Sequence, residues 1–278
     1  IGWALALQFA AKGYDLLIIA RRTERLEELA SIVEKRFNLQ CYCLTCDLTE
    51  ENSQQQIIDF VTSHKLKIDV LINNAGMSIA GPIEAQDMAA TELIFDTNVY
   101  GPQRMALAAL PSMRAAGSGY IFNVTSQLGR VIIPGFGQYS PTKFALEAMS
   151  EQMAYETAPH GIEVTIIQPG GYPTKIWQNQ NAPSAALKAR LSEDIISAYP
   201  AFTEGMGKRE AGGGESDPMD IPRAIAGAIA LPKGSRPLRI ALHPVARPQE
   251  AVNKVSAQVQ LAVLGKSPMG PVVKGVLD

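Results

Sequence analysis

The chain has 278 residues, 46% of them hydrophobic and 19% charged, with a formal net charge of −2. That length suits one large α/β domain with a modest appendage, and the near-neutral balance offers no electrostatic footprint for nucleic acid or an anionic membrane surface. The longest apolar run, 221–231, contains Pro222 and Arg223 and is too short to span a bilayer.

Residues 1–11 are apolar but have no basic region before them, so they read as a helix packed on a sheet rather than a secretory leader. Short β-rich runs then follow at 15–20, 40–45, 68–72, 120–124, 163–167 and 238–242, separated by helix-like stretches such as 23–36 and 87–116. Strands that are apolar on both faces and alternate with helices predict a doubly wound parallel sheet in a three-layer α/β/α arrangement. The cysteines, Cys41, Cys43 and Cys46, lie in or just after one apolar strand with only His64 nearby; they read as core residues, and no metal site is expected. Cytoplasm is the expected compartment. Between 175 and 217 the sequence loosens, up to the triple glycine Gly212-Gly213-Gly214, and reads as a partly helical lid or a surface loop. The catalytic domain is expected to occupy 1–244, and 245–278 to form a helical extension, with a helix near 248–264 and a Gly/Pro-containing tail.

A parallel α/β sheet binds dinucleotides where its strands end, with the first turn against the pyrophosphate. The chain opens on Ile1-Gly2 and a helix-like Trp3-Ala4-Leu5-Ala6-Leu7, which supplies only the tail of a glycine fingerprint. Gly2 is placed at the pyrophosphate. Where the group that reads the adenosine ribose belongs, about twenty residues on, stand Ala20-Arg21-Arg22. A guanidinium offers phosphate oxygens a planar, charge-assisted fork, so Arg21 and Arg22 favour NADP(H). NAD(H) is the alternative if the two arginines merely cap the next helix. Asp47 suits the adenine amino group or a helix N-cap. Asn73-Asn74-Ala75-Gly76 ends the next strand, where small residues permit close backbone approach and asparagine amides can brace neighbouring strands; a plain turn is the other reading.

Tyr139-Ser140-Pro141-Thr142-Lys143 carries the chemistry. Positions four apart share a helix face, and Pro141 is tolerated only in a first turn, so Tyr139 sits at the helix start. A free tyrosine titrates near ~10. The positive helix end, Lys143 and a nicotinium would lower that value and let Tyr139 exchange protons. Ser126 ends an apolar strand thirteen residues earlier and could bond a substrate carbonyl as charge develops. Asn98 lies in Asn98-Val99-Tyr100-Gly101, and Pro169-Gly170-Gly171-Tyr172-Pro173-Thr174 places a turn and a hydroxyl near a carboxamide. Gln127, Leu128, Ile132, Phe136, Tyr172, Ile176 and Trp177 are expected to face a small-molecule substrate, and their apolar character points to a bulky ketone or secondary alcohol.

In order and spacing these motifs resemble the short-chain dehydrogenase/reductase family, over roughly residues 1–242. The resemblance implies a seven-stranded Rossmann-type sheet and a role for each matching residue. Tyr139 would be the acid/base, Lys143 would tune it and hold the nicotinamide ribose, and Ser126 would orient the carbonyl. Asn98 would anchor a proton-relay water, Thr174 would hold the carboxamide beside Pro169 and Gly170, and Asn74, Ala75 and Gly76 would line the cofactor cleft. Arg21 would replace the acid of NAD-dependent members. A homodimer or homotetramer is expected. The family's opening strand and first two fingerprint glycines have no counterpart here, which predicts a gap in the sheet between the strands ending at Ala20 and Ile72.

Overall fold

Apolar, β-branched runs bounded by turn residues fold as strands, and the amphipathic stretches between them fold as helices. The computed structural model describes residues 1–210, 212 and 214–277; Gly213 of the expected lid boundary lies outside the described residues. The elements are α1 (Gly2–Ala10), β1 (Leu16–Ala20), α2 (Thr23–Phe37), β2 (Cys41–Thr45), α3 (Ser53–Ser63), β3 (Val70–Asn73), α4 (Met88–Phe95), α5 (Gly101–Ala116) and β4 (Gly119–Val124). They continue with α6 (Tyr139–Thr157), β5 (Ile162–Pro169), α7 (Ile176–Asn179), α8 (Asn181–Lys188), α9 (Glu193–Ala198) and α10 (Pro200–Thr203). The chain ends with α11 (Asp220–Ala230), β6 (Arg239–Leu242), α12 (Gln249–Leu264) and α13 (Gly270–Leu277).

All pairings are parallel, β1 with β2 and β3-β4-β5-β6 in that order. Among the described residues no strand joins β1 to β3, so the sheet is divided at the expected place. Ile1, Leu5 and Phe9 of the α1 region pack there with Leu16, Val70 and Ile72, closing with side chains a boundary that no backbone ladder crosses. Alternate residues of β4 enter opposite layers. Phe122 and Val124 meet Ile221 and Ile225 of α11, whereas Ile121 meets Ala106, Ala109 and Met113 of α5. Each fully buried side chain of this size contributes about 1.5–3 kcal/mol, and this two-sided burial puts the strand ends over one edge of a three-layer stack.

The expected helix over 87–116 is interrupted. Asp87 caps α4 by accepting from the Ala90 N–H at 2.8 Å, but residues Asp96–Tyr100 form a π-turn before α5 begins. Pro102 has no N–H and cannot donate to the Asn98 carbonyl four residues back, which removes one α-helical bond at this junction. The C-terminal extension carries a second helix after the one expected near 248–264. In α13 Val273 is buried, and Val276 and Leu277 pack with Met153 and Ile162. Gln249 of α12 is buried and its Nε2 donates to the Gln168 carbonyl at 3.1 Å. No helix among the described residues is long and apolar enough to cross a membrane.

Candidate active site

The carboxyl ends of β3, β4 and β5 and the start of α6 enclose a cleft of about 290 Å³. Ser126, Tyr139, Lys143, Asn74, Gly76, Pro169, Gly170 and Thr174 line it, together with the substrate candidates Gln127, Phe136, Tyr172 and Trp177. Leu128 and Ile176 are there too, but Ile132 points to solvent and Ile133 takes the wall position instead.

Tyr139 is the first residue of α6, and its ring is buried among Ile79, Ile94, Leu128 and Met206. Burial pushes its phenol up to about 12, opposed by a hydrogen bond to the Ser126 hydroxyl. Without a nicotinium beside it, desolvation of the phenolate is the larger influence and keeps the phenol neutral. The Ser126 oxygen accepts from the Leu128 N–H at 3.1 Å, which orients the hydroxyl. Lys143 is buried one turn along, its Nζ donating to the Val124 carbonyl at 3.0 Å and lying 5.6 Å from the Tyr139 ring centre. A Cβ on Gly76 would stand 3.6 Å from that Nζ and 3.4 Å from Asn98 Oδ1. Loop, lysine and asparagine therefore meet with no side chain between them.

Asn98 is fully buried, but its amide is engaged within the protein. Its Oδ1 accepts from Met77 N at 2.8 Å, and its Nδ2 donates to Met77 O at 2.9 Å and to Thr142 Oγ1 at 3.0 Å. The side chain clamps the loop that follows Gly76. Asn73 braces the sheet by donating to Asn123 Oδ1 at 2.8 Å. Arg21 and Asp47 end adjacent strands and face each other at 3.7 Å, while Asp47 also accepts from the Thr49 N–H and hydroxyl. Arg22 is the exposed residue before α2, and no side-chain bond caps that helix. Ala75 lies between the cleft-lining Asn74 and Gly76, and a Cβ on Gly2 would come 3.2 Å from Asn74 Nδ2.

Three participants carried no motif. Glu147, on the Lys143 face of α6, accepts from Thr125 Oγ1 at 2.7 Å and Arg239 Nε at 3.0 Å. Its spacing four residues after Lys143 is a helix-face signal that could have marked it. Gln180, between α7 and α8, and Arg209, after α10, both from the loosely patterned 175–217 segment, line the cleft itself.

Burial brings Lys143 down to about 8 from an ordinary 10.5, against the upward pull of Glu147. The unfolded chain therefore binds this proton more tightly. The resulting penalty on folding is complete below about pH 8 and disappears as pH rises towards 10.5. A shift of this size is worth ~3 kcal/mol, and the bond to Val124 returns about 1 kcal/mol. Lys143→Met is thus expected to be about 2 kcal/mol more stable than wild type near neutral pH while losing turnover. Urea unfolding at about pH 7 and about pH 10 checks this; a variant less stable at the lower pH would contradict it.

Fold and site together define a doubly wound α/β protein whose strand ends present a tyrosine, a lysine and a serine to one cleft. The chain belongs to the short-chain dehydrogenase family of oxidoreductases: that family's model, described as short chain dehydrogenase, matches residues 1–185. It is similar to 3-ketodihydrosphingosine reductase of Bacteroides thetaiotaomicron, at 34% identity over 67% of this chain and 68% of that protein. It is also similar to Oxidoreductase BOA17 of Botryotinia fuckeliana, at 30% identity over 88% and 85% of the two chains. Among solved structures, a short-chain dehydrogenase from Streptomyces avermitilis superposes with a TM-score of 0.71 at 28% identity, covering 96% of this chain and 94% of that one. A short-chain dehydrogenase from Sphingobium yanoikuyae in complex with NADPH gives 0.59 at 27% identity, covering 74% and 80%.

Proposed function

We propose that the protein interconverts a carbonyl and a secondary alcohol with NADP(H), on a bulky and largely apolar substrate, as a cytoplasmic homodimer or homotetramer. The observation that carries this reading is the meeting of Tyr139, Ser126 and Lys143 in one cleft with Leu128, Ile133, Phe136, Ile176 and Trp177 on its wall. Free cysteines Cys41, Cys43 and Cys46 agree with a reducing compartment.

The residues present suit the cofactor. Lys143 has three donors and spends one on Val124, leaving two for ribose hydroxyls. Thr174, Pro169 and Gly170 would hold the carboxamide end, and Asn74, Ala75 and Gly76 leave the cleft floor open to close approach. Gly2 opens α1, whose first N–H groups suit a pyrophosphate. The Arg21 side chain is 74% exposed, and among the described residues its one ion pair is the long 3.7 Å contact with Asp47, so it can turn its fork to a 2′-phosphate, with Arg22 beside it. NADPH in the Sphingobium relative supports the same choice.

When bound, the nicotinamide supplies a hydride to the substrate carbon or accepts one from it. Ser126, oriented by Leu128, donates to the substrate oxygen as negative charge develops. Tyr139, held neutral by burial, gives that oxygen its proton in reduction and takes it back in oxidation. Lys143 places positive charge beneath the phenolate left behind. The Asn98 carbonyl, which Pro102 cannot serve as a donor, is the better anchor for a relay water than the Asn98 amide, which Met77 and Thr142 occupy.

Oxidation of NADPH and NADH against a panel of ketones, and the reverse with secondary alcohols, tests the reading. No turnover with any carbonyl or alcohol would remove it. Arg21→Asp is expected to shift preference towards NADH by about 10- to 100-fold, since a charge-assisted phosphate contact is lost and a second carboxylate arrives beside Asp47. A wild-type protein that already prefers NADH would refute the arginine's role.

A further inference from the structure

The cleft is apolar on one side only. Gln180 is 3% exposed and Ser78 is 5% exposed, and both line the cleft. Among the described residues neither the Gln180 amide oxygen and nitrogen nor the Ser78 hydroxyl has a hydrogen-bond partner. Buried polar groups are ordinarily paired, because desolvation without a partner is unfavourable. Two such groups in one substrate cleft mark a place where a ligand atom completes the bonding.

Arg209 adds a charge to the same cleft. Its backbone is held at both ends by Asn181, whose Oδ1 accepts from Arg209 N at 2.9 Å and whose Nδ2 donates to Arg209 O at 2.7 Å. The guanidinium lies 4.5 Å from the Trp177 ring centre and 5.1 Å from that of Phe136. Stacking on aromatic faces satisfies the flat sides of a guanidinium and leaves its N–H edge directed outwards. No carboxylate among the described residues forms an ion pair with it, whereas Arg130, Arg190, Arg223, Arg236 and Arg239 are all paired.

We infer that Arg209, with Gln180 and Ser78, recognises a carboxylate carried by the substrate, so that the reacting ketone or alcohol is an apolar-bodied oxo or hydroxy acid. This rests on the proposed carbonyl–alcohol reading and narrows it. A carboxylate has two acceptor oxygens, which suit the guanidinium fork and leave further lone pairs for an amide N–H and a hydroxyl. A wholly apolar ligand would leave Gln180 and Ser78 buried and unpaired. Arg209 is itself exposed, and the aromatic pair beside it holds the guanidinium at the cleft rim.

Isothermal titration with octanoate and octanamide, probes of equal length with no ketone to reduce, tests the inference with and without NADP⁺. Octanoate should bind about 10- to 100-fold more tightly than octanamide, the span expected of hydrogen bonds to a charged group. Arg209→Met should erase that ratio without altering NADPH affinity, Arg209→Lys should restore part of it, and Gln180→Leu should weaken octanoate. Unfolding midpoints of the variants separate loss of the site from loss of the fold. Equal binding of the two probes, no binding of octanoate, a preference that survives Arg209→Met, or a loss of NADPH affinity in that variant would each overturn the inference. The titration needs no turnover, so failure of the proposed reaction registers separately, as no cofactor oxidation with any ketone.

Discussion

Replacing Tyr139 with phenylalanine is expected to lower turnover by about 10²–10⁴-fold, the usual contribution of a positioned acid–base group, while NADPH affinity and fold are retained. The ring is held by Ile79, Ile94, Leu128 and Met206, all of which a phenyl group still meets. The substitution removes only the hydroxyl, and with it the proton that burial keeps on the oxygen until about pH 12. Ser126 loses a partner but keeps the Leu128 N–H that orients it. Single-turnover measurements with saturating NADPH would isolate the chemical step, and titration of the cofactor would confirm an intact cleft. Turnover within a few-fold of wild type would remove Tyr139 from the reaction.

The largest structural effect is expected at Glu147. Its side chain is 2% exposed, yet it accepts from Thr125 Oγ1, Gln168 Nε2 at 2.9 Å and Arg239 Nε, and it stands 3.4 Å from Arg130 Nε in a looser ion pair. Glu147→Leu would strip the carboxylate from two largely buried guanidiniums and leave Arg239 with Glu151 alone at close range. Breaking a buried pair from one side costs about 3–5 kcal/mol, a large share of the ~5–15 kcal/mol that holds a domain together. The damage reaches the chemistry as well. Thr125 precedes Ser126, and Glu147 is the charge that pulls the Lys143 pKa upwards. Its loss should drive that pKa further below 8 and reduce turnover in the folded fraction. Urea unfolding gives the stability change, and Glu147→Gln, which keeps the shape and an acceptor, should lose less. A change below about 1 kcal/mol, the scale of a solvated pair, would show that water reaches the cluster.

Much of the strand layout was legible because buried parallel strands are apolar on both faces, a pattern that needs no tertiary context. The runs at 120–124 and 163–167 became Gly119–Val124 and Ile162–Pro169. The helix over 87–116 failed at its middle, where Asp96–Tyr100 forms a π-turn ahead of Pro102. A sequence window sees one helical period there and does not register a single displaced hydrogen bond. The last helix was not legible for a related reason: short α13, which contains Gly270 and Gly275, has little propensity of its own and is held by contacts of Val273, Val276 and Leu277 with the core.

What the sequence determined by itself was the identity and order of the proposed reacting groups: Ser126 at a strand end, Tyr139 and Lys143 on one face of a helix start, and arginines at the position expected to read the ribose. Those features are local. They follow from strand ends, helix period and proline's missing N–H, which any fold containing these segments must respect. Tertiary structure alone decided the electrostatic state of those groups and the far wall of the cleft. Burial raised Tyr139 and lowered Lys143 because desolvation depends on everything packed around a charge. Arg209 and Gln180 joined Ser78 in the cleft because the chain from α7 to beyond α10 folds back to the strand ends, bringing together residues more than a hundred positions apart in the chain.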